Sequence, residues 1–211
     1  MVMIAGPNGA GKTTLWRNMI LPMLEGSLDA IYINADEIER ELNQEALANK
    51  AAPQTPVTAR QAQKEATRRR ELLLSAAPPF QSHFVFETVF SDPYGHKLKE
   101  LQRGVTAGYY VVMLFVGLTD VALAGERVKH RVSTGGHNVD PDVQQERFPR
   151  VFANARDALK IVPLACFFDN SRDRADGNGT HRPVALFKAG ALIGQNDEMP
   201  TWWSTLFPPS V

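Results

Sequence analysis

Cysteine is almost missing from this chain: Cys166 is the only one among 211 residues. One thiol forms no internal disulfide and completes none of the common zinc sites, and such sparing use suits a reducing compartment. No charge of one sign prevails either. Lys and Arg number 23 and Asp and Glu number 23, which removes the broad basic footprint of a nucleic-acid binder. Long apolar runs are also lacking. The longest, Tyr109 to Leu118, is about half of the ~20 residues that a membrane-spanning helix needs. The opening Met1 to Ala5 is too short for a signal-peptide core. Neither an internal repeat nor a low-complexity tract occurs. The expectation is a cytoplasmic protein with neither nucleic acid nor membrane among its partners.

What is present is an ordinary globular composition, 44% hydrophobic and 22% charged. A chain of this size buries about 70% of its unfolded surface without a metal or disulfide staple. Apolar runs rich in β-branched and aromatic residues alternate with amphipathic stretches, the pattern of an α/β protein with a parallel sheet. Strands are expected at Val2–Ala5, Ala30–Asn34, His83–Thr88, Tyr109–Gly117 and Ile161–Phe168. Helices are expected at Gly11–Leu24, Glu37–Ala48, Val57–Ala76, Pro93–Gly108, Asp120–Val132 and Pro141–Lys160. Asp140-Pro141-Asp142 punctuates the start of the last helix, whose core stripe is Phe148, Val151, Phe152, Ala155 and Leu159. Val121, Ala124, Val128 and Val132 form the stripe of the helix before it. Residues 1–171 read as one core, with a lid at about 125–150 around a Gly135-Gly136 pivot. Residues 172–211 read as a packed extension containing a small hairpin, Val184–Lys188 with Ala191–Ile193, and a terminal helix, Pro200–Leu206.

The strongest chemical signal is Gly6-Pro7-Asn8-Gly9-Ala10-Gly11-Lys12-Thr13-Thr14, which fits G-x-x-x-x-G-K-[ST] between an apolar strand and a helix. Glycines let successive backbone N–H groups turn inward around an anion. The helix that follows aims its free N–H groups and positive dipole end at the same phosphates. Lys12 is expected to bridge the β- and γ-phosphates, and the Thr13 hydroxyl to complete a Mg²⁺ shell. This predicts a nucleoside triphosphate, ATP or GTP, with Mg²⁺. A transport ATPase would need a second, LSGGQ-like signature and an Asp-Glu pair ending a later strand. The chain has neither; Asn170 follows Asp169.

Three further stretches narrow the class: Asn34-Ala35-Asp36-Glu37-Ile38, Phe86-Glu87-Thr88, and a helix with Arg127 and Arg131 before Gly135-Gly136-His137. Together with the glycine-rich loop and Phe168-Asp169-Asn170-Ser171, they resemble the zeta-toxin-like family of small P-loop kinases over roughly residues 1 to 171. The resemblance implies a three-layer P-loop fold with a five-stranded parallel sheet and an adenylate-kinase-like core. It implies transfer of the γ-phosphate to a hydroxyl of a small molecule, possibly a UDP-activated amino sugar, and control by an antitoxin protein. By the family pattern Asp36 matches the catalytic base, Glu87 and Thr88 match the acceptor-contacting strand end, and lid arginines contact the phosphates. Val89 stands where many relatives carry a hydroxyl residue.

The residues support this chemistry independently, each with a plainer alternative. Asp36 and Glu87 both follow apolar strands, so both reach the crevice beyond the sheet's carboxyl ends. Asp36 serves either as base or merely as a helix cap. Glu87 contacts either a sugar hydroxyl, a metal-bound water or a lid arginine. Arg127 and Arg131, at i and i+4, share one helix face, and Arg147 and Arg150, at i and i+3, share another. They either neutralise the transferring phosphoryl group from a closing lid or form ordinary surface ion pairs. Arg68-Arg69-Arg70 reads as a solvated or phosphate-facing helix side. The other function class consistent with the motifs is a nucleotide-driven ATPase or switch that answers to a protein partner and has no small-molecule acceptor.

Overall fold

The computed structural model describes residues 1–26, 28–48, 56–76, 80–133, 140–172 and 181–207. Five short strands, β1 (Val2–Ala5), β2 (Ala30–Ile33), β3 (His83–Thr88), β4 (Val112–Gly117) and β5 (Leu164–Asp169), pair in parallel in the order β2-β3-β1-β4-β5. The sheet is larger than the sequence predicts, and mixed. β6 (Arg182–Lys188) and β7 (Ala191–Gln195) add antiparallel to β5, making seven strands. The expected separate hairpin is therefore the edge of the main sheet. Pairing with β6 satisfies the backbone groups that β5 would otherwise leave open, and Val184, Ala185 and Phe187 become buried there.

Strand alternation divides the core into two layers. Met3, Ala5, Phe84, Phe86, Met113, Phe115 and Phe167 face α4 (Ala59–Ser75), α5 (His96–Thr106) and α7 (Pro141–Ala158), with Ile38 of α3 (Ala35–Ala48) in the same cluster. Ile4, Val85, Leu114 and Val116 face the opposite way, onto α1 (Lys12–Leu15) and α6 (Val121–Ser133). In α7 Asp140 is the cap, accepting from the Asp142 N–H at 2.8 Å, and Val151, Phe152, Ala155 and Leu159 are buried as their spacing predicts. Among the described residues no helix is long and apolar enough to cross a membrane.

The stretch Gly11–Leu24, expected to be one helix, is broken in three. α1 gives way to a π-helical turn over Trp16–Ile20, and α2 (Leu21–Leu24) resumes after it. Pro22 has no N–H to donate four residues back, so the ladder widens and the Leu21 N–H reaches the Trp16 carbonyl. The indole of Trp16 then lies parallel to the Tyr32 ring at 4.5 Å. β4 starts three residues later than expected. Gly108, at φ 88, ends the preceding helical segment, and the Tyr109 N–H bonds back to Gly104 O. Near the other end, α8 (Trp203–Leu206) is shorter than expected and places Trp202 in the core.

The basic triplet in α4 also departs from expectation. Arg68 and Arg69 do pair on the outer side, with Glu65 and with Glu41 and Glu65. Arg70 is 1% exposed. Its Nε donates to Glu100 at 2.5 Å, Lys97 holds the other Glu100 oxygen at 2.5 Å, and the guanidinium lies 5.0 Å from the Phe86 ring centre. Helix periodicity turns the third arginine inward, where a buried carboxylate meets it. Burial pushes the Glu100 carboxyl upward, but the Lys97 and Arg70 cations outweigh that and hold it below the usual range. Replacing Glu100 leaves two cations unopposed in the interior, so Glu100→Gln is expected to cost about 3–5 kcal/mol in urea unfolding at neutral pH. A depressed folded-state carboxyl stabilises above its unfolded value and loses that effect on acidification. The difference between wild type and Glu100→Gln should therefore shrink as pH falls below the ordinary carboxylate value of 4.5.

Candidate active site

β1 is central, and the chain passes from β3 on one side of it to β4 on the other. Ligands bind at such a switch point, outside the carboxyl ends of the strands. The glycine-rich loop springs from the tip of β1. At Gly6 (φ 148) a Cβ would lie 2.3 Å from Val116 O, so only glycine lets the loop leave the sheet against the end of β4. At Gly11 (φ 85) a Cβ would lie 2.5 Å from Asn170 Nδ2. Pro7 O accepts from the Ala10 N–H, closing a turn over Asn8 and Gly9. The Lys12 ammonium donates to Gly6 O at 3.0 Å and Pro7 O at 2.9 Å, folded over the loop it follows. Thr14 is exposed in the first turn of α1.

Alternation along β3 puts Glu87 on the Val85 face, toward α1. The Thr13 hydroxyl donates to Glu87 Oε2 at 2.9 Å, and the Tyr32 hydroxyl donates to Glu87 Oε1. Asn34 donates from Nδ2 to the Tyr32 oxygen at 3.0 Å, and its Oδ1 accepts from the Asp36 N–H at 2.8 Å. Burial raises the Glu87 carboxyl and the Asp36 charge adds to this, while Lys12, Tyr32 and Thr13 pull the other way; the net direction is upward. Tyr32 is raised as well, by burial first and then by Glu87, so it remains a fixed donor. Asn34 is the residue that caps α3. Asp36 is exposed in the first helical turn, near enough for its charge to act on Glu87.

Thr88 points to the opposite face from Glu87, and its hydroxyl accepts from the Phe90 N–H at 3.2 Å. Phe90 is a buried non-glycine residue at φ 63, a strained conformation for a bulky side chain. Asn154 of α7 secures it by donating to the carbonyls of Phe90 and Asp92 at 2.8 and 2.9 Å. The arginines separate. Arg127 is half-buried beside the loop and donates to Asn170 O at 2.7 Å. Arg147 lines a narrow crevice with Pro7, Asn8 and Val89. Arg150 pairs with Glu146 at 3.3 Å on its own helix. The side chain of Arg131 and the Gly135-Gly136-His137 pivot lie outside the described residues.

Sequence reasoning passed over Tyr32, the capping role of Asn34, and His181, whose Nε2 lies 3.0 Å from Gly11 O. Strand alternation offers a signal for Tyr32, two residues ahead of Asn34 on the face that meets α1. Nothing local marks His181, which follows a polar stretch far along the chain and meets the loop only through the pairing of β5 with β6.

This arrangement can grip a polyanion on backbone N–H groups, set a hydroxyl and a carboxylate beside it, and present a second carboxylate at the adjoining strand tip. No curated protein matches the chain. Among solved structures, the AvrRxo1-ORF1:AvrRxo1-ORF2 complex with sulphate ions aligns with a TM-score of 0.68 at 17% identity, over 100% of this chain and 64% of that one. The same complex with ATP gives 0.67 at 16% identity, again over 100% and 64%. The PezAT chromosomal toxin–antitoxin system of Streptococcus pneumoniae gives 0.49 at 14% identity, over 85% of this chain and 69% of that one. The chain thus spans under two thirds of the length of the AvrRxo1 component, and the likeness at this identity is one of fold. The zeta toxin family model matches residues 1–180, and the chain belongs to that family.

Proposed function

We propose that this protein is an ATP-dependent kinase, working in the cytoplasm, that moves the γ-phosphoryl group of ATP to a hydroxyl of a small molecule. A UDP-amino sugar is the first acceptor to test, and GTP the alternative donor. The observation that carries the reading is the contact of Thr13 Oγ1 with Glu87 Oε2, 2.9 Å apart at the mouth of the glycine-rich loop. It joins the phosphate-binding helix to the strand tip that an acceptor would meet. The adenylate-kinase-like reading of the core, with 125–150 as a lid and 172–211 as its extension, belongs to the same proposal. Family membership favours an antitoxin-class protein as partner, and the ATP-bound AvrRxo1 complex favours ATP as donor.

In this reading the backbone N–H groups of residues 9–13 and the Lys12 ammonium hold the β- and γ-phosphates. The Thr13 hydroxyl and the Glu87 carboxylate fit a magnesium ion, a hard cation that takes oxygen ligands at such a helix start. When bound, that ion neutralises charge on the phosphate oxygens. Asp36 accepts the proton of the acceptor hydroxyl. That oxygen bonds to the γ-phosphorus, the bond from phosphorus to the β–γ bridging oxygen breaks, and ADP leaves with the electron pair. Arg127, Arg131, Arg147 and Arg150 supply positive charge around the transferring group, Arg147 from the crevice beside Asn8. Glu87 marks the acceptor side at the tip of β3, and Thr88, on the opposite face, steadies the turn that follows.

Purified protein incubated with ATP and Mg²⁺ against UDP-sugars, free sugars, nucleosides and amino alcohols should give one acceptor that gains the mass of a phosphoryl group. ATP hydrolysis that responds only to a protein partner would instead favour the switch. Asp36→Asn should lower kcat by roughly 10²–10⁴-fold, the usual worth of general-base help, with ATP affinity by calorimetry unchanged. Equal turnover by this variant removes Asp36 from the base role. Lys12→Ala should abolish transfer altogether.

A further inference from the structure

The segment after β5 meets the glycine-rich loop at two successive carbonyls. Asn170 Nδ2 donates to Ala10 O at 2.9 Å. His181 Nε2 lies 3.0 Å from Gly11 O, which also accepts the Leu15 N–H of α1 at 2.9 Å, and since a carbonyl only accepts, that nitrogen carries the proton. Across a planar trans peptide the carbonyl and the following N–H point in opposite directions. Tying Ala10 O and Gly11 O outward therefore turns the N–H groups of Gly11 and Lys12 inward, to the side where the proposed phosphates sit. We infer that Asn170 and His181 are positioning residues that set the anion-binding orientation of the Gly11 and Lys12 amides.

The clamp is itself held. The Asn170 N–H donates to Gly117 O at 3.1 Å, and its carbonyl accepts from Arg127 at 2.7 Å. Asn170 is 4% exposed, so its amide has little room to turn away. One residue earlier, Asp169 accepts from Trp202 Nε1 at 2.8 Å and from the Ser171 hydroxyl at 2.5 Å, and lies 3.6 Å from Arg182, the neighbour of His181. A Cβ at Gly117 would lie 2.3 Å from Trp202, so the indole rests directly on the end of β4. Residues 181–207 therefore belong to the frame of the loop. Burial holds the His181 imidazole below its ordinary value and the Arg127 charge acts in the same direction, outweighing the bond to Gly11. The ring is thus neutral with its one proton on the nitrogen that faces Gly11.

The inference rests on the nucleotide reading of the loop, and its test separates the two. Inorganic tripolyphosphate is titrated into the full chain by calorimetry, with the amide resonances of Gly11 and Lys12 followed by NMR. Wild type is expected to bind and to shift both resonances. Asn170→Ala should weaken binding about tenfold, the scale of one buried hydrogen bond lost from the support, with smaller shifts at both amides. His181→Leu should weaken it severalfold, and His181→Gln, which keeps a donor, should recover most of the loss. The last pair preserves the test if Asn170→Ala fails to fold. Equal affinity and equal amide shifts in wild type, Asn170→Ala and His181→Leu would overturn this inference alone. A wild type that binds no tripolyphosphate and no ATP would overturn the nucleotide reading together with it.

Discussion

A backbone that binds a polyanion has to point several N–H groups at one place, and every such N–H carries a carbonyl pointing away. Most of the distinctive features here suit that geometry in the proposed reading of the glycine-rich loop. Gly6 lets the chain leave β1 against the tip of β4 with no room for a side chain. Pro7 O and Gly6 O are taken by the Lys12 ammonium, and Ala10 O and Gly11 O by Asn170 and His181. Carbonyls satisfied in this way leave the amide dipoles free to face an anion, where orientation fixed in advance is worth more than flexible donors.

β3 carries charge on both of its faces, and the two are treated differently. On the Phe86 face Arg70, Lys97 and Glu100 form a closed cluster between α4 and α5, packed against the aromatic ring. On the other face Glu87 is half-buried, and its partners are mostly neutral hydroxyls, those of Thr13 and Tyr32. A carboxylate held by hydroxyls of β2 and α1 suits the proposed role toward a cation or an acceptor. One locked by two cations does not. The same strand thus packs a closed cluster of three charges against one face and carries Glu87 on the other.

Much of the site was legible because short-range rules govern it. Glycine spacing located the loop, the apolar run Phe84-Val85-Phe86 placed Glu87 at a strand's carboxyl end, and Asp140-Pro141 marked the start of α7. What the local pattern left open turns on particular contacts, some within a turn and some between distant segments. Asp36 read as a base with a helix cap as the plainer alternative, and Asn34, whose Oδ1 accepts the Asp36 N–H, holds the cap position. Arg70 read as a surface residue because Glu100, thirty positions away, is invisible to local pattern. Glu87 and Thr88, adjacent in sequence and alike in promise, part to opposite faces, and Thr88 steadies the turn at Phe90.

The amino-acid order alone determined the glycine-rich loop, the α/β alternation, the family likeness and the carboxylates at the strand tips, since each follows from local spacing. Only the tertiary structure decided that β6 and β7 extend the sheet, that Trp202 anchors Asp169, and that His181 reaches Gly11. Those contacts join residues up to 170 positions apart. Strand pairing and burial bring such groups together, and neither leaves a periodic trace in the chain.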